Sequence, residues 1–352
     1  MNIYTLDGLN GISDVIEVYE SVIWNNQFFW KGDFQLKVPG TQKNIDTLIP
    51  GLLLVLEQDV LPDGYRNVMK IENRDIDFDI EQGWHLTLTG SGLKNIVGQR
   101  IIWEQTNLNG LVEAGIRHVL TQNIINPSDV NRKIDNFILG DVQGFTDTFD
   151  TQLLGENISD WLTTVCQNYG IGWDVIIKNG KYVFTLTKGT DRTYDQDDVI
   201  PVVFSPEFDN LASSSYRYNG SEFANAALVG GEGEGIEKIT ASVGTASGIN
   251  RFEAFLDGSN VSSDGEIITP ETYALMLENY GKEQLFNKAS QTNVSGTIIS
   301  NGMYSLNVDY FLGDMVQIIN NGISAKSRIT EIIYAEDDNG ARLVPTFSDW
   351  EG

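Results

Sequence analysis

A single cysteine, Cys166, and two histidines, His85 and His118, stand among 352 residues. One thiol excludes an internal disulfide and fits synthesis in a reducing compartment. It cannot supply a thiolate cluster either, and no His-x-x-x-His pair exists to hold zinc. His85 lies between Trp84 and Leu86 in a strand pattern, and His118 falls off the apolar stripe of a helix pattern, so both read as ordinary polar positions. A nucleophilic triad needs a histidine beside a serine or cysteine. Ser91 sits in Gly-Ser-Gly without the Gly-x-Ser-x-Gly spacing, and Cys166 falls in a helix's apolar stripe as a buried thiol. Basic residues are scarce: 23 against 49 acids give a net charge of −26, which opposes binding to DNA or to an anionic membrane. No apolar run approaches the length of a transmembrane helix, so no membrane insertion is expected. The stretch from Met1 to Gly8 has no basic region followed by an apolar block, so no secretory signal is expected and the chain is expected to fold in the cytoplasm. Internal repeats and low-complexity segments are absent.

What is present is a globular composition. Hydrophobic residues make up 41% and charged residues 20%, enough apolar material for two or three separate cores. Period-two alternation dominates the first part. Residues 14–24 and 33–39 read as strands, the second with Phe34, Leu36 and Val38 on one side. Residues 52–56 form a continuous apolar run expected to be buried on both faces. Strand patterns follow at 65–71, 75–81 and 84–89, then a short helix at 91–97 and a returning strand at 99–103. Residues 1–104 therefore read as one barrel-like β domain. From Thr106 the apolar spacing turns helical, with Asn109 as the cap. A stronger helix is predicted over 158–169, capped by Asn157, with Ile158, Trp161, Leu162, Val165, Cys166 and Tyr169 on one stripe. Asn179-Gly180, between strand patterns at 172–177 and 181–187, is a hairpin signal. Residues 105–200 read as an α+β unit. Residues 201–352 read as β again, interrupted by a helix that begins at Thr269-Pro270 and runs to about Lys288. The fold class is β-rich α+β.

Four places invite a functional reading. Gly231, Gly233 and Gly235 alternate with Glu232 and Glu234, as glycines do where amides approach a phosphate. Such loops need a helix next, however, and 236–243 reads as a strand; the two carboxylates would also repel the anion. A tight turn is expected there. Phe28, Phe29 and Trp30 could stack a sugar or pack beneath a loop or at a subunit contact, and packing is the favoured reading. Asp191, Asp195, Asp197 and Asp198 form an acidic loop without the glycine and glutamate of an EF-hand, so a solvated loop is expected and calcium stays open. Glycan hydrolysis needs only two carboxylates, and composition neither nominates nor excludes a pair. Finally, in residues 75–81, Ile76, Phe78 and Ile80 face one way and Asp75, Asp77, Asp79 and Glu81 the other, an acidic stripe directed to water. No cofactor is expected.

The same stretches carry a family resemblance. Val202-Val-Phe-Ser-Pro-Glu-Phe-Asp-Asn-Leu211, with Ala226-Ala-Leu-Val229 and the turn at 231–235, resembles siphophage tail proteins related to the central tail hub, or tail-associated baseplate, proteins. Ser21-Val-Ile-Trp24 with Phe28-Phe29 resembles the opening hairpin of that family, and Arg100-Ile-Ile-Trp103 a strand that follows its short helix. Leu312-Gly-Asp-Met-Val316 and Arg328-Ile-Thr-Glu331 are similar to its closing element. The resemblance implies two small β-barrels with α/β insertions, the second barrel in 201–352 holding the inserted helix near 270–288. It implies a structural homotrimer at the distal end of the virion tail, each subunit giving two barrels to a pseudo-sixfold ring that closes the tube. Implied partners are a distal tail or tail tube protein, the tape measure, and fibre or receptor-binding proteins. Many such hub proteins carry a long carboxyl extension; without one here, any lytic or host-binding activity is expected to reside on another chain. Asp75, Asp77, Asp79 and Glu81 are then expected to line the channel. The competing classes are a carbohydrate-binding receptor module and a cell-wall glycan hydrolase.

Overall fold

The computed structural model describes residues 1–81, 83–221, 223–259, 261, 269–288, 291–299 and 303–348. The first 92 residues give strands β1 (Ile3–Leu6), β2 (Ile12–Ile16), β3 (Ser21–Gln27), β4 (Asp33–Pro39), β5 (Leu53–Leu56), β6 (Met69–Asp79) and β7 (Gly83–Gly92), with a short helix α1 (Gln42–Thr47) between β4 and β5. Alternation decides how β4 sits: Phe34, Leu36 and Val38 are buried, whereas Asp33 and Gln35 are exposed. All four residues of β5 are buried, as a continuous apolar run requires.

The middle of the chain gives β8 (Thr106–Leu111), α2 (Val112–Leu120), β9 (Thr148–Leu153), α3 (Ile158–Asn168), β10 (Gly172–Lys178) and β11 (Lys181–Thr187). Here the structure corrects the sequence reading. Residues 106–111 form a strand paired with β9, and Asn109 bonds Asp150 across that pair instead of capping a helix. The buried positions Thr106 and Leu108 alternate with exposed Asn107 and Asn109, so the helical spacing begins only at Val112. Residues 99–103 hold a single bridge, Ile101 to Asn157, and no strand. The α3 helix follows its pattern closely. Asn157 accepts from the backbone amides of Ser159 and Asp160, worth about 1 kcal/mol, and Gly170 stops the helix at a φ of 62°. Asn179 and Gly180 adopt φ values of 50° and 70°, the pair of left-handed residues that a two-residue hairpin between β10 and β11 demands.

The remaining elements are β12 (Leu211–Asn219), β13 (Ala226–Gly230), β14 (Thr240–Val243), β15 (Glu253–Asp257), α4 (Pro270–Asn287), β16 (Gln291–Ile298), β17 (Met315–Asn320), β18 (Ile323–Asp337) and β19 (Gly340–Ser348). β13 pairs with β14 and, in parallel, with β15, and α4 covers one face of that small sheet through Tyr273 and Leu277.

One strand joins the two ends of the chain. β18 pairs with β17 through residues 323–328, with β19 through residues 328–337, and with β3 through Glu331 to Glu336. The sheet consequently runs β12-β16-β19-β18-β3-β4-β7-β6-β5-β1-β2 without a break. Mostly β structure with few helices meets the expected class, but among the described residues this path closes into no barrel. β18 is shared between the amino-terminal and carboxyl-terminal strands, so the two groups merge where separate barrels were expected. Each group keeps a core of its own, Trp24, Phe34, Leu36, Leu86 and Leu88 in one and Phe204, Val316, Ile329 and Phe347 in the other. A third core, built on α2, α3, β10 and β11, reaches Phe28 and Phe29 in the loop after β3.

Candidate functional site

The face of the sheet turned away from the first two cores spans both groups of strands, and the third core covers its β5–β1 end through Leu53, Val55 and Leu6. Cross-strand pairing puts Val344 and Thr346 of β19 beside Ile333 and Glu331 of β18, and these beside Asn25 and Gln27 of β3. The row continues through Asp33 and Gln35 of β4 and Thr87 and Thr89 of β7 to Asp75 and Asp77 of β6. The Gln27 amide donates to Glu331 at 2.8 Å, and the Thr346 hydroxyl donates to the same carboxylate at 2.7 Å. Lys37 and Arg342 lie against Glu20 at 3.0 Å and Asp337 at 3.7 Å, and Lys70, opposite Ser91, is a further cation of this face. The surface is largely polar, with Asp33, Asp75 and Asp77 exposed on it.

At the far end of the face, the β6–β7 hairpin differs from the sequence reading. Asp75, Asp77 and Asp79 are exposed, and Glu81 sits in the turn with its amide donating to Asp79 at 2.7 Å. The opposite, apolar face is exposed as well: Ile76, Phe78 and Ile80 are 40%, 60% and 89% accessible. β5 pairs with β6 at Met69 and Lys70, and β4 ends at Pro39 opposite His85, so among the described residues no element extends far enough to cover the hairpin's tip.

A buried polar joint ties the shared strand to the middle of the chain. Asp314, in the Leu312-Gly313-Asp314 turn, accepts from the Thr190 amide at 2.8 Å, the Phe311 amide at 3.0 Å and Arg192 Nε at 2.7 Å. Arg328 of β18 donates to the carbonyls of Lys188 and Gly313, both at 2.6 Å, and lies over the Phe28 ring. Burial lowers the Arg328 guanidinium to about 10, against the attraction of Asp314 and Asp191. Sequence reading registered the Leu-Gly-Asp turn but not its partners Thr190 and Arg192, which lie more than a hundred residues away in the chain.

A second cluster closes the other end of β18. Tyr19 donates to Glu336 at 2.6 Å, Tyr334 donates to the same carboxylate, and the Met1 amino group lies 3.1 Å from it. Burial works to raise Glu336, but these donors hold it below its ordinary 4.5. A carboxyl depressed in the folded state contributes stability that is present above the unfolded value and lost as pH falls through the folded one. Glu336→Gln is therefore expected to flatten the acid limb of a urea-midpoint profile below pH 4.5; an unchanged limb would show that the cluster contributes nothing.

The chemical candidates are placed as follows. His85 is buried, with Nδ1 2.6 Å from Glu20, and His118 is exposed on α2. The Cys166 thiol is buried and its pKa pushed up by that burial. Phe28 and Phe29 belong to the core while Trp30 is half exposed, so the three form no common stacking surface. Asp195 pairs with Lys326 and Asp191 caps the Thr193 amide. Among the described residues no group of three metal-ligating side chains gathers, in the 191–198 loop or elsewhere. At the glycine run, a side chain on Gly231 would collide with Tyr273 and Leu277, and the Glu232 amide donates to the Tyr273 hydroxyl at 2.8 Å. These glycines let α4 approach the turn closely, and a single 3-10 turn, Gly235–Glu237, follows them. A buried acid that the sequence reading missed, Glu113 of α2, accepts from the amides of Gln143, Gly144 and Phe145 and fixes that loop.

Several solved structures share this architecture. The 43 kDa tail protein of prophage MuSo2 from Shewanella oneidensis is 14% identical, with a TM-score of 0.61 over 99% of this chain and 98% of that one. The tail protein from Neisseria meningitidis MC58 is 13% identical, with a TM-score of 0.60 over 99% and 96%. Prophage tail protein gp18 from Listeria monocytogenes EGD-e is 11% identical, with a TM-score of 0.55 over 99% and 95%. At these identities the likeness establishes the fold. No curated protein matches the sequence. The family described as Siphovirus ReqiPepy6 Gp37-like protein matches residues 2–348, and the chain accordingly belongs to that family of phage tail proteins.

Proposed function

We propose that the protein is a structural, non-enzymatic hub subunit at the distal end of a phage or prophage tail. Three copies form a ring that closes the tail tube, each giving two similar lobes. The ring meets the distal tail or tube protein above, the tape measure within, and fibre or receptor-binding proteins below. The observation that carries this reading is the unbroken sheet: β18 joins the amino-terminal and carboxyl-terminal strands, so a single polar face crosses both lobes. Set edge to edge around an axis, three such faces would make a continuous wall, with Asp75, Asp77, Asp79 and Glu81 toward the lumen. The separate core of the carboxyl-terminal strands supports a division near residue 200, whereas the middle core takes in Leu6, Leu53, Val55 and Val97, so a division near residue 104 rests on the change from strands to helices alone. A reconstruction of the tail tip is expected to show three copies with Gln35 and Thr89 facing the axis. Two or six copies, or those side chains on the outside, would overturn the reading.

A further inference from the structure

The β6–β7 hairpin exposes Ile76, Phe78, Ile80 and Trp84 on one face, the last at 54%. Phe78 and Trp84 pack ring to ring at 5.0 Å, so this platform exists before anything binds it. Four neighbouring apolar side chains amount to several hundred Å², the scale at which a surface patch marks a contact. At the opposite end of β7, beyond the 3-10 turn Leu93–Gln99, a second apolar group is exposed: Ile101, Trp103 and Val130, the last two at 58% and 74%. Two guanidiniums hold it together. Arg132 lies 5.0 Å from the Trp103 ring centre and donates to the Ile101 carbonyl at 2.7 Å, while Arg100 Nε donates to the Arg132 carbonyl at 2.6 Å.

The donor bonds of both arginines go to carbonyl oxygens and to Asn123. Glu104 and Asp129 are the nearby acids; Glu104 accepts from Ser128 of the neighbouring loop and Asp129 from Asn131 of its own. Lys133 adds a third cation, 3.9 Å from Asp135. In a chain with 49 acids and 23 bases, two arginines stand side by side over an apolar floor here; Asp129 and Glu104 act on Arg132 by charge, and among the described residues neither is within ion-pair distance of it. Ten residues of β7 separate the two surfaces, about 30 Å of strand, so the tip of a hairpin cannot reach the patch of its own chain.

We infer that the hairpin tip of one copy docks on the Ile101–Trp103–Val130 patch of the next, with Asp79 and Glu81 at the turn meeting Arg100 and Arg132. Apolar surface meets apolar surface, and carboxylates meet guanidiniums, the arrangement in which two copies of so acidic a chain attract locally. Tip and patch are different surfaces, so the contact is head-to-tail and closes as a ring. This inference rests on the ring reading and supplies its interface; it takes Asp79 and Glu81 out of the lumenal stripe and leaves Asp75 and Asp77 turned to the lumen.

Disulfide trapping in the full chain tests it. Phe78→Cys and Val130→Cys replace exposed side chains, and Cys166 is buried away from oxidant. Under oxidation a mixture of the two variants is expected to give a covalent dimer, neither alone should do so, and the double variant should form species up to the closed trimer and no further. Phe78→Asp is expected to raise the concentration needed for self-association at least tenfold in sedimentation. A Phe78→Cys variant that crosslinks to itself, or a mixture that does not crosslink, overturns the interface. A trimer that survives Phe78→Asp unchanged overturns the interface and leaves the ring reading standing, whereas a tail tip without a ring overturns both.

Discussion

Replacing Asp314 with alanine is expected to lower the stability of the folded chain by about 3–5 kcal/mol, the cost of breaking a buried ion pair from one side. Asp314 is 2% exposed and is held by Arg192 and two backbone amides. Removing its carboxylate leaves Arg192 without its partner and the amides of Thr190 and Phe311 without an acceptor. It also removes the negative charge that offsets the buried Arg328. The loss should appear as a lower urea midpoint with an unchanged slope, since the same surface is exposed on unfolding. Asp314→Asn keeps an acceptor oxygen for part of the set and is expected to fall between the two. Arg192→Met added to Asp314→Ala should restore part of the loss, because it removes the uncompensated charge. A single Asp314→Ala variant within 1 kcal/mol of the wild type, about the range of exposed pairs, would show that the joint is not what locks β18 to the middle of the chain.

That joint marks the boundary of what local sequence can say. Period-two alternation in β4, the apolar run of β5, the Asn157 cap and the Asn179-Gly180 turn are decided by neighbours within a few residues, and each is found where the pattern puts it. The pairing of Glu331–Glu336 with Val22–Gln27 links segments about three hundred residues apart and leaves no periodic trace, so the merging of the two groups of strands was not legible. Residues 106–111 show a different limit. Leu108 and Leu111, three residues apart, would share a helix face; pairing with β9 makes the segment a strand instead, which puts them on opposite faces, Leu108 buried and Leu111 exposed. In the β6–β7 hairpin, alternation correctly sorts Ile76, Phe78 and Ile80 from Asp75, Asp77 and Asp79. It says which side chains share a face, not whether another element covers it, and among the described residues none covers this one. The acidic stripe was legible as a stripe; its setting at one end of a long polar face was not.

That setting yields the second large effect. A genome that leaves through a ring must not adhere to the wall, and every cation placed on a phosphate path adds affinity by releasing counterions. On the proposed wall, Lys37 and Arg342 are paired with Glu20 and Asp337, Lys70 is half-buried, and Asp33, Asp75 and Asp77 stand exposed. Converting Asp75, Asp77 and Asp79 to lysine exchanges three negative charges for three positive ones and takes one chain from −26 to −20. All three side chains are exposed, so the fold is expected to survive. The assembled ring should then bind duplex DNA measurably, with log K falling against log salt by about 0.9 for each phosphate contacted, and ejection should slow. Asp79 lies at the tip assigned to subunit contact, so Asp75→Lys with Asp77→Lys is the cleaner variant. It should keep the ring intact and still show salt-sensitive binding by anisotropy of labelled DNA. If the double variant forms rings that bind no more DNA than the wild type and eject at the normal rate, the face bearing Asp75 and Asp77 lies outside the channel. The sheet that joins the two lobes would then present its opposite edge, not this face, to the axis.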